Sequence, residues 1–281
     1  MKRCAILVFL LFSAVVMAQK PSASSDFVFA NYLIGSSLKD EAVVLLHEIP
    51  SDGDSISFMK GYAYYSTQQL DSAIRHLTDV GSHSALYNES RFYAALSAAH
   101  KGTYVEAASL LSALPLDADS SLQSLRHFEL CGLNLLQRDY AQFDLNYALL
   151  DINDYRYSDE AAALQRIRNE LGRQRKSPLL AACLSTVVPG LGKVYAGNIG
   201  QGVASFLTIG SLTAITAENA SKAGWDNWKT ILFGSLASVF YIGNIYGSAV
   251  SVRVSMENFE QQQDVQILYN IHIPIRNNFR R

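Results

Sequence analysis

Apolar and polar positions are arranged along this chain in two different ways, and the change of pattern divides it. From about residue 26 to 157, apolar residues recur at helical spacing in short stretches separated by polar turns, which predicts a series of amphipathic helices. Turns fall at Pro50-Ser51-Asp52-Gly53, Gly81-Ser82 and Pro115-Leu116-Asp117. From Ser177 onward charge vanishes for long intervals: residues 177–192, 194–217 and 230–252 hold no Asp, Glu, Lys or Arg. A bilayer core needs about 20 apolar residues in a helix. The third interval meets that length, and the second does after a polar start at Asn198-Ile199-Gly200-Gln201. The first is too short and is broken at Pro189-Gly190-Leu191-Gly192. At the other end, Lys2 and Arg3 precede an apolar run over residues 6–17, and Val16-Met17-Ala18 offers cleavage before Gln19. Residues 1–18 therefore read as a secretory leader, with an uncleaved anchor as the alternative. Cys4 lies ahead of the apolar run, so a lipoprotein is not expected.

The helical region repeats. Ala73, in Leu70-Asp71-Ser72-Ala73-Ile74-Arg75-His76-Leu77, and Ala107, in Tyr104-Val105-Glu106-Ala107-Ala108-Ser109-Leu110-Leu111, lie 34 residues apart. Ala42 precedes Ala73 by 31 and Phe143 follows Ala107 by 36. The middle unit resembles a tetratricopeptide repeat, with Gly61 and Tyr64 in its first helix and Ala73, Leu77 and Val80 in its second. The likeness weakens outward, where Ala95 and Phe143 replace the expected Gly and Ala. It implies a short superhelix over residues 19–157 with a concave groove lined by the first helix of each pair. Tyr62 and Arg91 are the groove candidates, for a protein or peptide partner.

Charge separates the same two regions. Residues 19–157 carry 9 basic and 17 acidic side chains, and residues 158–281 carry 12 and 8. No clustered basic face suggests nucleic acid. A helix over residues 158–176 places Ala161, Ala162, Leu164, Ile167 and Leu171 near helical spacing. It also carries Arg166, Arg168, Arg173, Arg175 and Lys176, which suit anionic head groups. The remaining Cys131 and Cys183 fall in unlike segments and are not expected to pair. The six histidines show no metal spacing. No nucleophile elbow, paired-carboxylate site or cofactor loop is present: Val187 and Val194 stand where a phosphate loop needs Gly and Ser or Thr. The expectation is a non-enzymatic chain with no cofactor and no metal.

The hydrophobic domain, residues 177–255, carries the most distinctive strings: Pro189-Gly190-Leu191-Gly192-Lys193-Val194-Tyr195-Ala196-Gly197, and Gly243-Asn244-Ile245-Tyr246-Gly247. Pro and Gly there predict a tight or re-entrant corner buried against neighbouring helices. Lys193 is expected to reach the head groups and Tyr195 to sit at the interface. Gly243, Gly247 and Ser251, four apart, suit close helix approach and self-association. Asn244 is expected to bond groups freed at the Pro189 break. Together the strings resemble an uncharacterised family of bacterial envelope proteins that joins tetratricopeptide-like repeats to this domain. The first is also similar to that of the two-span TM2 domain. Lys193 departs from the family's usual Gln, and the family implies no activity.

Residues 256–281 read as a tail. Val265, Ile267, Tyr269, Ile271, Ile273 and Ile275 alternate with Gln266, Asn270, His272 and Arg276, with Leu268 and Pro274 the exceptions, which argues for an extended segment or a strand added to a partner. The architecture expected is all-α: a repeat superhelix, then two or three transmembrane helices. Helical spans belong in the inner membrane. The leader places the repeats in the periplasm, although the basic run before Ser177 favours the cytoplasmic side. The function expected is an envelope scaffold; the alternative is an accessory factor for membrane-protein insertion or transport.

Overall fold

A computed structural model describes residues 23–36, 38–49, 53–115, 120–151, 154–173 and 176–279, so the leader lies outside the described residues. Among the described residues there are thirteen helices and no strand. They are α1 (Ala23–Gly35), α2 (Lys39–Glu48), α3 (Asp54–Ser66), α4 (Leu70–Thr78), α5 (Tyr87–Lys101), α6 (Tyr104–Ser112), α7 (Ser120–Leu136), α8 (Tyr140–Tyr147) and α9 (Ser158–Arg173). Then follow α10 (Pro178–Val187), α11 (Leu191–Ala196), α12 (Ile199–Ala223) and the 52-residue α13 (Trp228–Phe279). The chain forms two compact units: Met1–Ala161 with Asn270–Arg281, and Ala162–Tyr269.

The first unit is a series of helical hairpins, α1/α2 to α7/α8, each packed on the next. Ala42, Ala73, Ala107 and Phe143, the positions aligned by sequence, are all 0% exposed. The residue seven further on (Ile49, Val80, Leu114, Leu150) is buried each time. The small residue lets the hairpin close: a Cβ on Gly61 of α3 would stand 2.5 Å from Leu77 Cγ of α4. Each hairpin turns the same way. The N–H groups of Leu38, Gln69, Thr103 and Asp139 donate to the carbonyl five residues back, at 2.8–3.0 Å. This bond closes a Schellman turn, which needs a left-handed residue. Gly102 takes that position in the third hairpin, but Gln68 and Arg138 take it in the second and fourth, each at φ 61°. A side chain there costs about 1–2 kcal/mol. Gln68→Gly is therefore expected to stabilise the protein by about 0.5–1 kcal/mol, net of the entropy that glycine brings. Thermal unfolding in detergent should show the midpoint rising; a fall would mean that contacts of the Gln68 side chain outweigh the strain.

In the second unit α12 and α13 are long and apolar enough to cross a membrane, with only 11% of each apolar window buried within the protein. Val203, Phe206, Leu207, Ile231, Val239 and Ile242 are exposed, and such a surface must be covered by lipid or by protein. α10, at ten residues, is too short to span. Between the two long helices the chain turns at Gly224, flanked by exposed Trp225 and Trp228, residues suited to the head-group level.

The end of the chain corrects the sequence reading. Residues 264–276 are neither extended nor a strand but the continuation of α13. Every second member of an alternation lies four residues from the next, and spacing of four is also one face of a helix. Ile267, Ile271 and Ile275 form that buried face, while Val265 and Tyr269 of the other set are 67% and 66% exposed. Burial of one set, rather than of both, selects the helix. Pro274 is accommodated within it.

Candidate functional site

The hydrophobic unit turns its corner at the Pro189 string. Ser177 caps α10 by accepting the Leu180 N–H, and Pro178 follows at a helix start that tolerates its missing donor. α10 ends before Pro189; Gly190 (φ +87°) and Gly197 (φ +103°) then bracket the single turn of α11 in left-handed conformations. These glycines also meet backbone. A Cβ on Gly190 would lie 2.0 Å from the Gly202 carbonyl oxygen, and one on Gly192 would lie 2.0 Å from the Ala181 carbonyl oxygen. The expected tight corner is present, and it depends on absent side chains.

Its polar groups form a chain. The Gly192 N–H donates to Ser185 Oγ at 2.9 Å, the Ser185 and Ser248 hydroxyls are 2.6 Å apart, and Ser248 Oγ donates to the Asn244 carbonyl at 2.8 Å. Each hydroxyl can thus donate once and accept once, so an amide freed at the break is satisfied inside the unit. Ser185 and Ser248, which sequence reasoning did not single out, are both fully buried. A signal was available: each is a small hydroxyl residue inside a charge-free interval. Ser185→Ala would leave the Gly192 N–H buried and unpaired, a loss of about 1–3 kcal/mol. Unfolding in detergent measures it; an unchanged midpoint would remove the hydroxyl chain from the account.

Several sequence expectations are revised here. Asn244 does not bond the Pro189 break. It is 4% exposed, and neither Oδ1 nor Nδ2 of its side chain has a partner. Lys193 is turned inward to Ser205 Oγ at 2.8 Å, and its Cε would be 3.7 Å from a Cβ on Gly247. Gly247 is therefore already covered by the chain itself, while a Cβ on Gly243 would meet nothing within 4 Å. The buried stripe of α13 is the adjacent one, Asn244, Ser248 and Val252. Tyr246 is exposed and Tyr195 accepts the Ser177 N–H through its hydroxyl at 3.2 Å. Lys176 donates to the Ala196 carbonyl at 3.3 Å, which places one member of the basic run in the corner. Above it, α12 and α13 flank an open groove lined by Ile209, Thr213, Thr216, Gly234, Ser238 and Tyr241.

The hairpin unit has its own polar and aromatic cluster. Tyr62 is half-buried with its ring 5.1 Å from Tyr93, edge-on, and Phe58 and Tyr65 complete the set. Tyr65 also touches the rings of His100 and His272 at 6.1 and 6.0 Å. Arg91, the other groove candidate, has a different task. Its guanidinium donates to the carbonyls of Thr78 and Val80, at 3.1 and 3.4 Å, and lies over the Tyr87 ring. Lys60 does the same one hairpin earlier, donating to the Ile49 carbonyl at 2.6 Å across an equal separation of 11 residues. Both are cations at helix C-terminal ends, joining each hairpin to the next.

Burial shapes the titration of this cluster. It holds Tyr65 and Tyr93 protonated, pushes the Cys131 thiol up to about 12, and lowers His100 and His272. Glu129 on α7 is raised well above the carboxylate range by burial alone, and its Oε1 has no partner. Both Cys131 and Cys183 are free, and no metal-binding group of His, Cys, Asp or Glu occurs among the described residues. Comparison of the chain with protein-family models, curated proteins and solved structures finds no match.

Proposed function

We propose that the chain is a non-enzymatic envelope scaffold: tetratricopeptide-like hairpins that recruit a protein or peptide, held at the bacterial inner membrane by the helical pair α12 and α13. The observation that carries this reading is the contrast between the two units. One buries an apolar core among its own hairpins, and in the other only 11% of the apolar window of each of two long helices is buried. Residues 270–279 belong to the same compact unit as Met1–Ala161. A chain that leaves that unit, enters the bilayer and returns must cross an even number of times, so two spans fit and three do not. The leader then favours the periplasm for the hairpins.

Reporter fusions after residues 157 and 279 test the arrangement, since both should be active when alkaline phosphatase is the reporter. Opposite results at the two positions would break the even count, and two inactive fusions would move the hairpins to the cytoplasm. Recovery of the full-length protein in the soluble fraction after carbonate extraction would end the membrane reading altogether. For the recruiting role, a photo-crosslinking side chain at half-buried Tyr62 should capture a discrete partner in native membranes.

A second reading, an accessory factor for insertion or transport, draws on Asn244. An unpartnered amide in hydrocarbon costs roughly 1–3 kcal/mol and is retained more readily where it has work to do. Asn244→Val is expected to stabilise the protein. Loss of cellular function with partner capture intact would favour this second reading; unchanged function would dismiss it.

A further inference from the structure

The aromatic face of the hairpin unit is occupied. Residues 270–279 of α13 fold with that unit, with Ile271 and Ile275 buried. His272 meets Tyr65 edge-on at 6.0 Å and Phe279 packs 5.6 Å from Phe92. Arg156 Nη1 donates to Asn278 Oδ1 at 3.5 Å. The seat is built from first helices: Tyr65 from α3, Phe92 and His100 from α5. α5 is buried at every position from Ser90 to Ala99 except Arg91. A helix buried all round is covered on more than one side. Its hairpin partners α4 and α6 supply part of that cover, and Phe279 supplies another part.

The occupant carries a weak point. Pro274 has no N–H to give to the carbonyl four residues back, which weakens the helix inside the docked segment. His272 packs on the Tyr65 ring, and its protonated form is disfavoured first by burial and then by Arg276 on its own helix and by His100 and Lys39. The face is thus shaped for a helix, yet the helix it holds lacks one backbone donor at Pro274 and buries an imidazole whose protonated form is disfavoured there.

We propose that this face is a helix-binding groove in which residues 270–279 are a resident pseudo-ligand. The partner it takes is an amphipathic helix with branched aliphatic residues at i and i+4 and aromatic side chains at i+1 and i+8. These are the places of Ile271, Ile275, His272 and Phe279. The inference rests on the scaffold reading and narrows it: recruitment begins with departure of the chain's own segment. Tethering gives that segment an effective concentration on the order of 1 mM, so it suppresses weak ligands and yields to tight ones.

The test uses full-length protein in detergent and a fluorescent synthetic peptide of residues 264–281, with binding read by anisotropy. Wild-type protein should bind the peptide weakly. Ile275→Asp in the protein should expel the resident segment and tighten binding at least tenfold, with Ile275→Ala intermediate. A peptide carrying the same Asp should lose binding at least tenfold. Equal affinity of the native peptide for wild type and both variants would overturn the proposal. So would a folded Ile275→Asp protein, checked by circular dichroism, that binds no peptide. Where Ile275→Asp does not fold, Ile275→Ala decides alone, and no gain over wild type counts against the groove. A concentration-dependent wild-type dimer that Ile275→Asp abolishes would assign the seat to a second copy and overturn the partner assignment. Crosslinking from Tyr62 in native membranes is independent: a partner captured while the peptide never binds would keep the scaffold and discard the groove.

Discussion

Gly190→Ala and Gly192→Ala are each expected to prevent the hydrophobic unit from assembling. The methyl at Gly192 would stand 2.0 Å from the Ala181 carbonyl oxygen and 2.6 Å from Ser185 Oγ, so it would strike both a backbone and the hydroxyl chain. At Gly190 it would meet the Gly202 carbonyl at 2.0 Å while the residue holds φ +87°, adding left-handed strain to the clash. Overpacking costs about 1–3 kcal/mol and left-handed strain about 1–2 kcal/mol. The sum for Gly190, roughly 2–5 kcal/mol, is a large fraction of the about 5–15 kcal/mol that holds a typical domain folded. Gly243→Ala is the internal control, since that position is open. Size-exclusion profiles and protease sensitivity in detergent should separate the three: two aggregated or degraded, one like wild type. A monodisperse, protease-resistant Gly192→Ala protein would mean that α10 and α11 do not approach as described.

The second large effect concerns pH. Glu129 is raised by burial, so the folded state keeps a proton that the unfolded chain releases above about 4.3. Its contribution is full below that value and is lost as pH rises through the folded pKa. His76, His100 and His272 are shifted the other way, each lowered chiefly by burial. The unfolded chain binds their protons more readily, so their contribution is full above about 6.5 and is lost as pH falls through the folded values. Stability should therefore decline on both sides. Glu129→Gln is expected to remove the alkaline decline, stabilising the protein by about 1–3 kcal/mol at pH 8 and not at all near pH 4. In melting temperature that is roughly 2–10 °C at pH 8. A gain of equal size at both pH values would show that Glu129 is not protonated in the folded state. His272→Phe should lessen the acid decline and leave the alkaline side unchanged, since His76 and His100 remain.

Much of the helical architecture was legible because its signals are local. The aligned small residues at Ala42, Ala73 and Ala107 mark hairpin closure, and the charge-free intervals coincide with α12 and the first half of α13. The corner was legible too, since Pro189 and the glycines have few other uses in hydrocarbon. What the sequence does not show is which of two neighbouring registers packs within the chain. The stripe Gly243, Gly247, Ser251 and the stripe Asn244, Ser248, Val252 differ by one residue, and only packing shows that the second is buried. Arg91 stood near the expected groove by sequence, but its length lets it reach back to the Thr78 carbonyl. The alternation of residues 265–275 fits a strand and a helix face equally until one knows which members are covered. Contacts between Tyr65 and His272, separated by over two hundred residues, have no local signal at all.

The order of synthesis gives the split first unit a temporal meaning. The first stretch of that unit is complete at Ala161, and the segment of α13 that fills its aromatic face begins at Asn270. Translation at about 5–20 residues per second separates the two by roughly 5–20 s. During that interval Tyr65 and Phe92 have no His272 or Phe279 to cover them. Each newly made molecule therefore passes through a period in which this face of the hairpins lacks the segment that later covers it.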